Sequence, residues 1–365
     1  MSGFTTFDVW DQALLTNIIR RPPSGRAVGA AEDTTPLLGE QIAPLKSHPG
    51  RNAKVRVAEI LPFGKGQFRA PDATPPLFRS NVAWSETLIS LALIDEMELI
   101  PEEDWLALNS ADENIRRSVG VSLVDKGRIL QLRNERATEW LRWQAFQGAV
   151  TIPYDGGASN LYIDYGLPVA NKPVASVLWS NTSTADPVSD VAAWSDVIAA
   201  ATGFYGTKLH MNLKTYNYLI NNTNIRNSIN FYANGANSIL RPRRQDILEL
   251  FQNVYTGFEI VLYDNGYRDG PVSVSGSIGV GSLTKYLPDG YVLMTTDYNL
   301  DGTPIADTLD GQVTVSSGYN SVDIRQGFQA EVMLDHVAKT HLLRAASARI
   351  PRLLIPEAFV WARVA

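Results

Sequence analysis

The chain contains no cysteine, which excludes disulfides, thiol nucleophiles and cysteine-ligated metals outright. Histidine is scarce too: His48, His210, His336 and His341 are the whole set. His336 and His341 stand five apart, off a common helix face, with no carboxylate triplet at ligand spacing beside them, so no metal site is expected. His210 falls in a strand and reads as a core or interface residue. Long apolar runs are missing; residues 87–94 are the most apolar stretch and fall far short of the ~18–20 residues a membrane span needs. The start, Met1-Ser2-Gly3-Phe4-Thr5-Thr6-Phe7-Asp8, lacks the basic region and apolar run of a secretory signal, so synthesis and residence in a cytoplasm are expected. A net charge of −6 argues against a dedicated nucleic-acid binder, whose footprint is normally basic. No internal repeat or low-complexity tract is visible.

What is present is a globular composition, 45% hydrophobic and 19% charged over 365 residues, enough for two domains or one large one. Residues 6–20 read as a short amphipathic helix, with Phe7, Trp10, Leu14 and Ile18 at helical spacing. Residues 22–53 are rich in Pro, Gly and polar side chains and read as an extended arm, the alternative being a leader of no consequence. Residues 54–61 alternate, with Val55 and Val57 opposed to Arg56. Pro62-Phe63-Gly64-Lys65-Gly66 then turns, and residues 67–70, with Phe68 and Arg69, form the return strand. Such a ribbon is marginal alone in water and has no local partner strand, which points to support from a neighbouring subunit.

Residues 81–98 are expected to be helical, and Pro101 opens a further turn at its favoured first position. Ser110-Ala111-Asp112-Glu113 has the spacing of a capping box. The helix it opens should run to about Gln147 with Gly148 as its stop, a rod of about 55 Å, bent or broken by Gly120 and Gly127. Leu130, Ala137, Leu141 and Ala145 make its apolar face. Strands over 149–154 and 161–165 come next. Asp186-Pro187 starts a helix over 192–201 that ends at Gly203, residues 208–211 form a strand, and Asn212 caps a helix over 213–220. A helix over 245–251, a strand over 258–263, loops over 271–284 and 299–312, and a strand over 328–334 lead to the apolar ending, residues 350–365. Leu353, Leu354, Ile355, Phe359, Val360 and Trp361 are too apolar for a free tail and are expected to form central strands.

Chemistry-bearing patterns are weak. Gly276-Ser277-Ile278-Gly279-Val280-Gly281 has its glycines in reversed order for a dinucleotide loop, and no helix comes after it. The acidic clusters Asp95-Glu96, Glu98 and Glu102-Glu103-Asp104 have no paired base or nucleophile and read as solvated helix ends. No catalytic, cofactor-binding or metal residue is assigned, and no enzymatic activity is expected. Along the long helix Arg116, Arg117, Lys126, Arg128, Arg133, Arg136 and Arg142 outnumber Glu113, Asp125, Glu135 and Glu139. The favoured reading is ion pairing with neighbouring subunits; the sharper one is weak, non-specific contact with DNA phosphates. Arg241-Pro242-Arg243-Arg244 reads as an exposed loop.

Residues 260–294 are the most informative. Ile260-Val261-Leu262-Tyr263-Asp264-Asn265-Gly266 is an apolar strand running into an Asn-Gly turn, and Leu287-Pro288-Asp289-Gly290 is a tight turn opening the next strand. This pair resembles the lambda-type major capsid protein E family of tailed bacteriophages, where a Tyr-x-x-Gly turn precedes a Leu-Pro-Asp turn. The step Gln147-Gly148-x-x-Thr151-Ile152 and the strand Ile163-Asp164-Tyr165-Gly166 resemble the end of that family's spine helix and its next strand, with Gln147 standing where members carry Lys. The Met211-Asn212 step before a short helix, and Pro351-x-Leu353 with Pro356-Glu357-Ala358-Phe359-Val360, are similar to it as well.

The resemblance implies an α+β, HK97-like phage capsid fold. Its parts would be an N-terminal arm (1–45), an extended β-hairpin loop (46–80), a peripheral domain with the long spine helix (81–185 and 331–365) and an axial domain (186–330). It implies a major capsid protein that self-assembles into hexamers and pentamers of an icosahedral head around packaged viral DNA. Val55, Val57, Phe63, Lys65, Phe68, Arg69, Arg133, Arg136 and Arg142 are the candidate inter-subunit contacts. Partners implied are a scaffolding protein, a portal and, optionally, a decoration protein, with weak contact to double-stranded DNA and none to a membrane. The location implied is the virion capsid, after assembly in the host bacterial cytoplasm. An encapsulin-like nanocompartment shell is the alternative with the same fold, and an uncharacterised cytosolic α+β enzyme the alternative of another class.

Overall fold

The computed structural model describes residues 37–58, 84–108, 110, 112–152, 161–232, 242–253, 255–268, 282–300, 302–316, 322–335 and 340–365. The chain opens with α1 (Leu38–Ile42), β1 (Leu45–Ser47), β2 (Asn52–Ala58), β3 (Trp84–Ser90) and β4 (Ala92–Ile100), then α2 (Glu102–Leu108) and the long α3 (Glu113–Phe146). After it stand β5 (Ala149–Ile152), β6 (Leu161–Asp164), α4 (Pro187–Thr202), β7 (Lys208–Met211), α5 (Leu213–Asn221), α6 (Thr223–Tyr232) and α7 (Arg244–Gln252). Next come β8 (Glu259–Leu262), β9 (Gly266–Arg268), β10 (Leu283–Lys285), β11 (Tyr291–Thr295), β12 (Asn299–Leu300), β13 (Thr303–Pro304) and β14 (Ala306–Asp310). The last five strands are β15 (Gln312–Ser316), β16 (Val322–Gln326), β17 (Gln329–Asp335), β18 (Thr340–Leu353) and β19 (Phe359–Arg363).

Two sheets organise these elements. One has the order β1-β14-β18-β17, with β4 also paired to β18. The other has the order β19-β11-β7-β8, and because side chains alternate across a strand it serves two cores. Leu293 and Trp361 face the core shared with α3, while Val292, Met294, Val360 and Ala362 face the core that Val191, Trp194, Ile198, Leu219 and Phe251 complete. A third, smaller core joins Leu123 and Leu130 of α3 to Ile100, Leu343 and Ala345.

Several expectations hold element by element. Asp186 caps the helix after it, Gly203 ends that helix at φ 77°, and the Asn212 side chain accepts from the Thr215 N–H. Residues 208–211 form the expected strand. The long helix stops as expected, with Gly148 at φ 97°.

Others are corrected. From residue 84 onward the expected helix over 81–98 is two strands, β3 and β4. Its leucines, glutamates and methionine favour helix locally, but β4 pairs with β18 from Ala92↔Arg349 to Ile100↔His341, and that ladder overrides propensity. The hairpin therefore returns through β3, register Asn52↔Ser90 to Ala58↔Trp84, and the expected return strand at 67–70 lies outside the described residues, as do residues 6–20 and 276–281. The expected extended arm is docked from residue 37 onward: Leu38, Ile42 and Ala43 are buried and β1 runs parallel to β14. The expected loop over 299–312 carries β14, a strand with buried side chains in the larger sheet.

The long helix is one unbroken element of 34 residues, about 51 Å at 1.5 Å per residue. Its packed face outweighs the roughly 1 kcal/mol cost of each glycine. Its N-cap is Asp112, which accepts from the Asn114 N–H at 2.8 Å, in place of the expected Ser110 box. Leu353 ends the long β18 of the larger sheet as expected of a central strand, whereas Phe359–Arg363 forms an edge strand of the smaller sheet against β11.

Candidate functional site

Val55 and Val57 sit on β2, paired with Thr87 and Ser85. Phe63, Lys65, Phe68 and Arg69 lie outside the described residues. Arg133 makes a two-pronged bond to Glu96 within its own chain, 2.6 and 2.8 Å, and this bond holds its guanidinium above the ordinary pKa despite partial burial. Arg136 is exposed, and its carbonyl accepts from the Tyr286 hydroxyl at 3.2 Å. Arg142 is 2% exposed, bonded to Glu139 and to Thr308 Oγ1. Its expected role as a surface contact is corrected; its place is the subunit interior, because it lies on the helix face turned toward β14. Lys126 pairs with Glu98 and Asp104, and Arg128 with Asp125. Much of the helix's excess of cations is therefore matched by acids of the same chain, and Glu96 and Glu98 serve as its partners on β4.

The centre of the subunit is a junction that sequence reading missed. Glu139 is fully buried and accepts four hydrogen bonds. Gly39 N–H, Trp143 Nε1–H and the Tyr263 hydroxyl each reach its Oε1 at 2.8 Å, and Arg142 reaches Oε2 at 3.3 Å. Three of the four donors share Oε1 and the fourth reaches Oε2. The Trp143 ring stacks on Tyr263 at 5.2 Å and 14°, and Tyr263 in turn neighbours Tyr286. A Cβ on Gly39 would lie 2.5 Å from Glu139 Oε2, so only glycine allows the approach. Burial comes first in raising the Tyr263 hydroxyl above the ordinary tyrosine range, and the adjoining Glu139 raises it further. Burial lowers Arg142, and Glu139 opposes that. One signal could have pointed here: a Glu four residues before a Trp and three before an Arg on the same helix.

The two turns singled out in residues 260–294 meet in space. β9 and β10 pair with Gly266 opposite Lys285, and a Cβ at Gly266 would meet the Thr284 carbonyl at 2.5 Å. Lys285 Nζ bridges Asp264 and Asp289 at 3.0 and 3.1 Å. Asp264 accepts from the Leu213 N–H, and Asp289 from Asn212 Nδ2 and Lys214 Nζ. For Lys285 burial works against the charge, but the two carboxylates prevail and raise its pKa; for Asp289 burial is likewise outweighed by the two lysines, which lower it. The Gly290 carbonyl accepts from the Val364 and Ala365 N–H groups, tying the last residues to this turn.

Elsewhere the surface offers contact area. Leu93, Met97 and Leu99 are 48%, 58% and 50% exposed on the face of β4 turned away from the long helix. Tyr205 and Tyr255 border a depression of about 570 Å³ with Phe204 and Asp297. Burial, with Lys208 next, lowers the His210 pKa to about 3; its Nε2 lies 3.3 Å from Thr295 Oγ1. His341 stacks on Trp105 at 3.5 Å. Among the described residues no group of three or more His, Asp or Glu could hold a metal ion, and no helix is long and apolar enough to cross a membrane.

The family model described as phage major capsid protein E matches residues 122–308, a span from the long helix through both turns to β14. Among solved structures, a prophage protein of Escherichia coli CFT073 described as a capsid protein is similar at 14% identity. That match covers 90% of this chain and 93% of the other, with a TM-score of 0.53. A phage-related protein from Bordetella bronchiseptica RB50 is similar at 14% identity over 96% of each chain, TM-score 0.50.

Proposed function

The chain belongs to the phage major capsid protein E family and is a capsid shell protein with the HK97-like fold, and from that premise we propose that its copies close as hexamers and pentamers into an icosahedral head around packaged double-stranded DNA. The family match carries this reading, and the β2–β3 ribbon supports it. That ribbon pairs only with itself among the described residues, and such a ribbon needs a third strand or a packed face to be stable. In a ring of subunits each interface is heterologous and closure is by rotation. Many overlapping contacts then supply the avidity that no single contact needs to supply.

Within this reading the parts are an N-terminal arm (1–45), an extended loop (46–80), a peripheral domain (81–185 and 331–365) and an axial domain (186–330). The exposed face of Leu93, Met97 and Leu99 meets a second copy of the chain, since a closed shell buries surface between copies. Val55, Val57, Phe63, Lys65, Phe68, Arg69, Arg133 and Arg136 remain candidates for such contacts. Contact with DNA is weak and non-specific, because Arg133, Lys126 and Arg128 already have acidic partners in their own subunit. A scaffolding protein, a portal and, optionally, a decoration protein are the other partners. Assembly takes place in the host cytoplasm, and the mature location is the virion.

The test is co-expression with a scaffolding protein, read by electron microscopy and sedimentation. Closed particles or capsomers are the expected product. A strictly monomeric species at every concentration tried would refute the reading.

A further inference from the structure

Three donors from separate parts of the chain converge on one oxygen atom, Glu139 Oε1. Gly39 belongs to α1, Trp143 to the long helix one turn beyond Glu139, and Tyr263 to the segment just after β8. We propose that Glu139 is the positioning residue of the subunit's central joint, coupling the seating of residues 37–47 to the set of the β7–β8–β11–β19 sheet on the long helix. In a shell subunit, which is the reading this rests on, that set fixes the angle at which neighbouring copies meet.

The seated segment is held by the β1–β14 ladder, the Lys46–Asp307 ion pair and its buried side chains as well as by this joint. α1 has five residues, too few to be helical alone, and β1 has three with exposed side chains. Leu38, Ile42 and Ala43 are buried beside Glu139, and Thr308 links to the Pro44 and Ala43 carbonyls. Beyond these the Gly39 N–H is the segment's link to Glu139. When the segment leaves, Glu139 keeps Trp143, Tyr263 and Arg142 as partners. No buried charge is stranded, so a seated and a released state are both open to the folded subunit. Release removes one of three donors from Oε1 and lets the other two re-aim. One of these is the Tyr263 hydroxyl, whose ring stacks on Trp143 and neighbours Tyr286. Tyr286 in turn donates to the Arg136 carbonyl one turn back on the long helix. The path from Gly39 to the 263–286 turns is therefore continuous.

Two variants test this, Gly39→Ala and Glu139→Gln, each measured by hydrogen exchange on subunits and by particle size in electron micrographs. In Gly39→Ala the new methyl would stand 2.5–2.8 Å from the Glu139 carboxylate, so the segment must lift away from it. Amides of 37–47 should exchange at least tenfold faster, and those of 259–266 severalfold faster. Glu139→Gln keeps the shape but offers Gly39, Trp143 and Tyr263 an amide oxygen, a weaker acceptor than a carboxylate oxygen, and should give the same two effects. Both variants should build particles with an altered size distribution. Faster exchange confined to 37–47 in Gly39→Ala would overturn the coupling, because a purely local seat predicts that outcome. Particles of unchanged size from Gly39→Ala would overturn the link to shell geometry. Should Glu139→Gln fail to fold, Gly39→Ala decides alone. Should the parent chain build no particles, the shell reading fails, while hydrogen exchange still tests the joint.

Discussion

Phe359→Ala separates buried packing from assembly. Phe359 begins β19, is fully buried, and its ring lies 5.5 Å from that of Phe146 at 13°, a stacked pair joining the edge strand to the end of the long helix. Its carbonyl accepts from Asn171 Nδ2 at 2.7 Å, a bond that alanine keeps, so the change removes the ring alone. Truncating a buried Phe costs about 3–5 kcal/mol, transfer and cavity together, against a total of ~5–15 kcal/mol for a typical domain. Urea unfolding should be monitored at concentrations too low for assembly, since association would add to apparent stability. The midpoint should fall by the equivalent of about 3–5 kcal/mol with the slope unchanged. Tyr162→Ala, at a position 63% exposed, should stay within about 0.5 kcal/mol. A double-mutant cycle of Phe359→Leu with Phe146→Leu should show coupling of about 0.5–1.5 kcal/mol. A loss below about 1 kcal/mol for Phe359→Ala would refute the assignment of the C-terminal strand to the core.

Replacing residues 55–87 by a short Gly-Ser linker should leave a soluble subunit with a near-normal melting transition, because Ala53 and Ile89 at the ribbon's base are kept, and should abolish shell formation; normal shells from this variant would remove the ribbon from the assembly contacts. Met97→Glu should leave subunit stability within about 0.5 kcal/mol and prevent or weaken assembly, read by sedimentation, and unimpaired assembly would count against that face as an interface. His210 should make acid destabilising. Its folded pKa is about 3 against 6.5 in the unfolded chain, so the unfolded state binds the extra proton between those values. Its contribution is whole above pH ~6.5 and falls by roughly 3 kcal/mol by pH ~4; urea midpoints of His210→Gln should therefore depend less on pH over that range, and an identical slope would show that the ring is solvated.

Local chemistry was legible wherever the deciding partner is near in sequence. Asp186 before Pro187, Gly203 as a left-handed stop and Asn212 as a cap each depend on neighbours within a few residues. The same holds for the two turns, Tyr263-Asp264-Asn265-Gly266 and Leu287-Pro288-Asp289-Gly290, whose order also carried the family resemblance. What failed was governed by distant partners. Residues 84–98 are rich in helix formers, and their strand state is set by β2 for 84–90 and by β18, some 250 positions away, for 92–98. Residues 299–312 look like a loop until β1 and β18 flank β14. Arg142 and Glu139 read as surface charges because a helical pattern gives spacing and not depth; the fold buries them together and supplies Gly39, Trp143, Tyr263 and Thr308 as partners. The sequence by itself determined the two turns, the caps at Asp186 and Asn212, and the family. Only the tertiary structure decided which charges lie inside, because burying a carboxyl group is tolerable only where the fold brings hydrogen-bond donors to its oxygens.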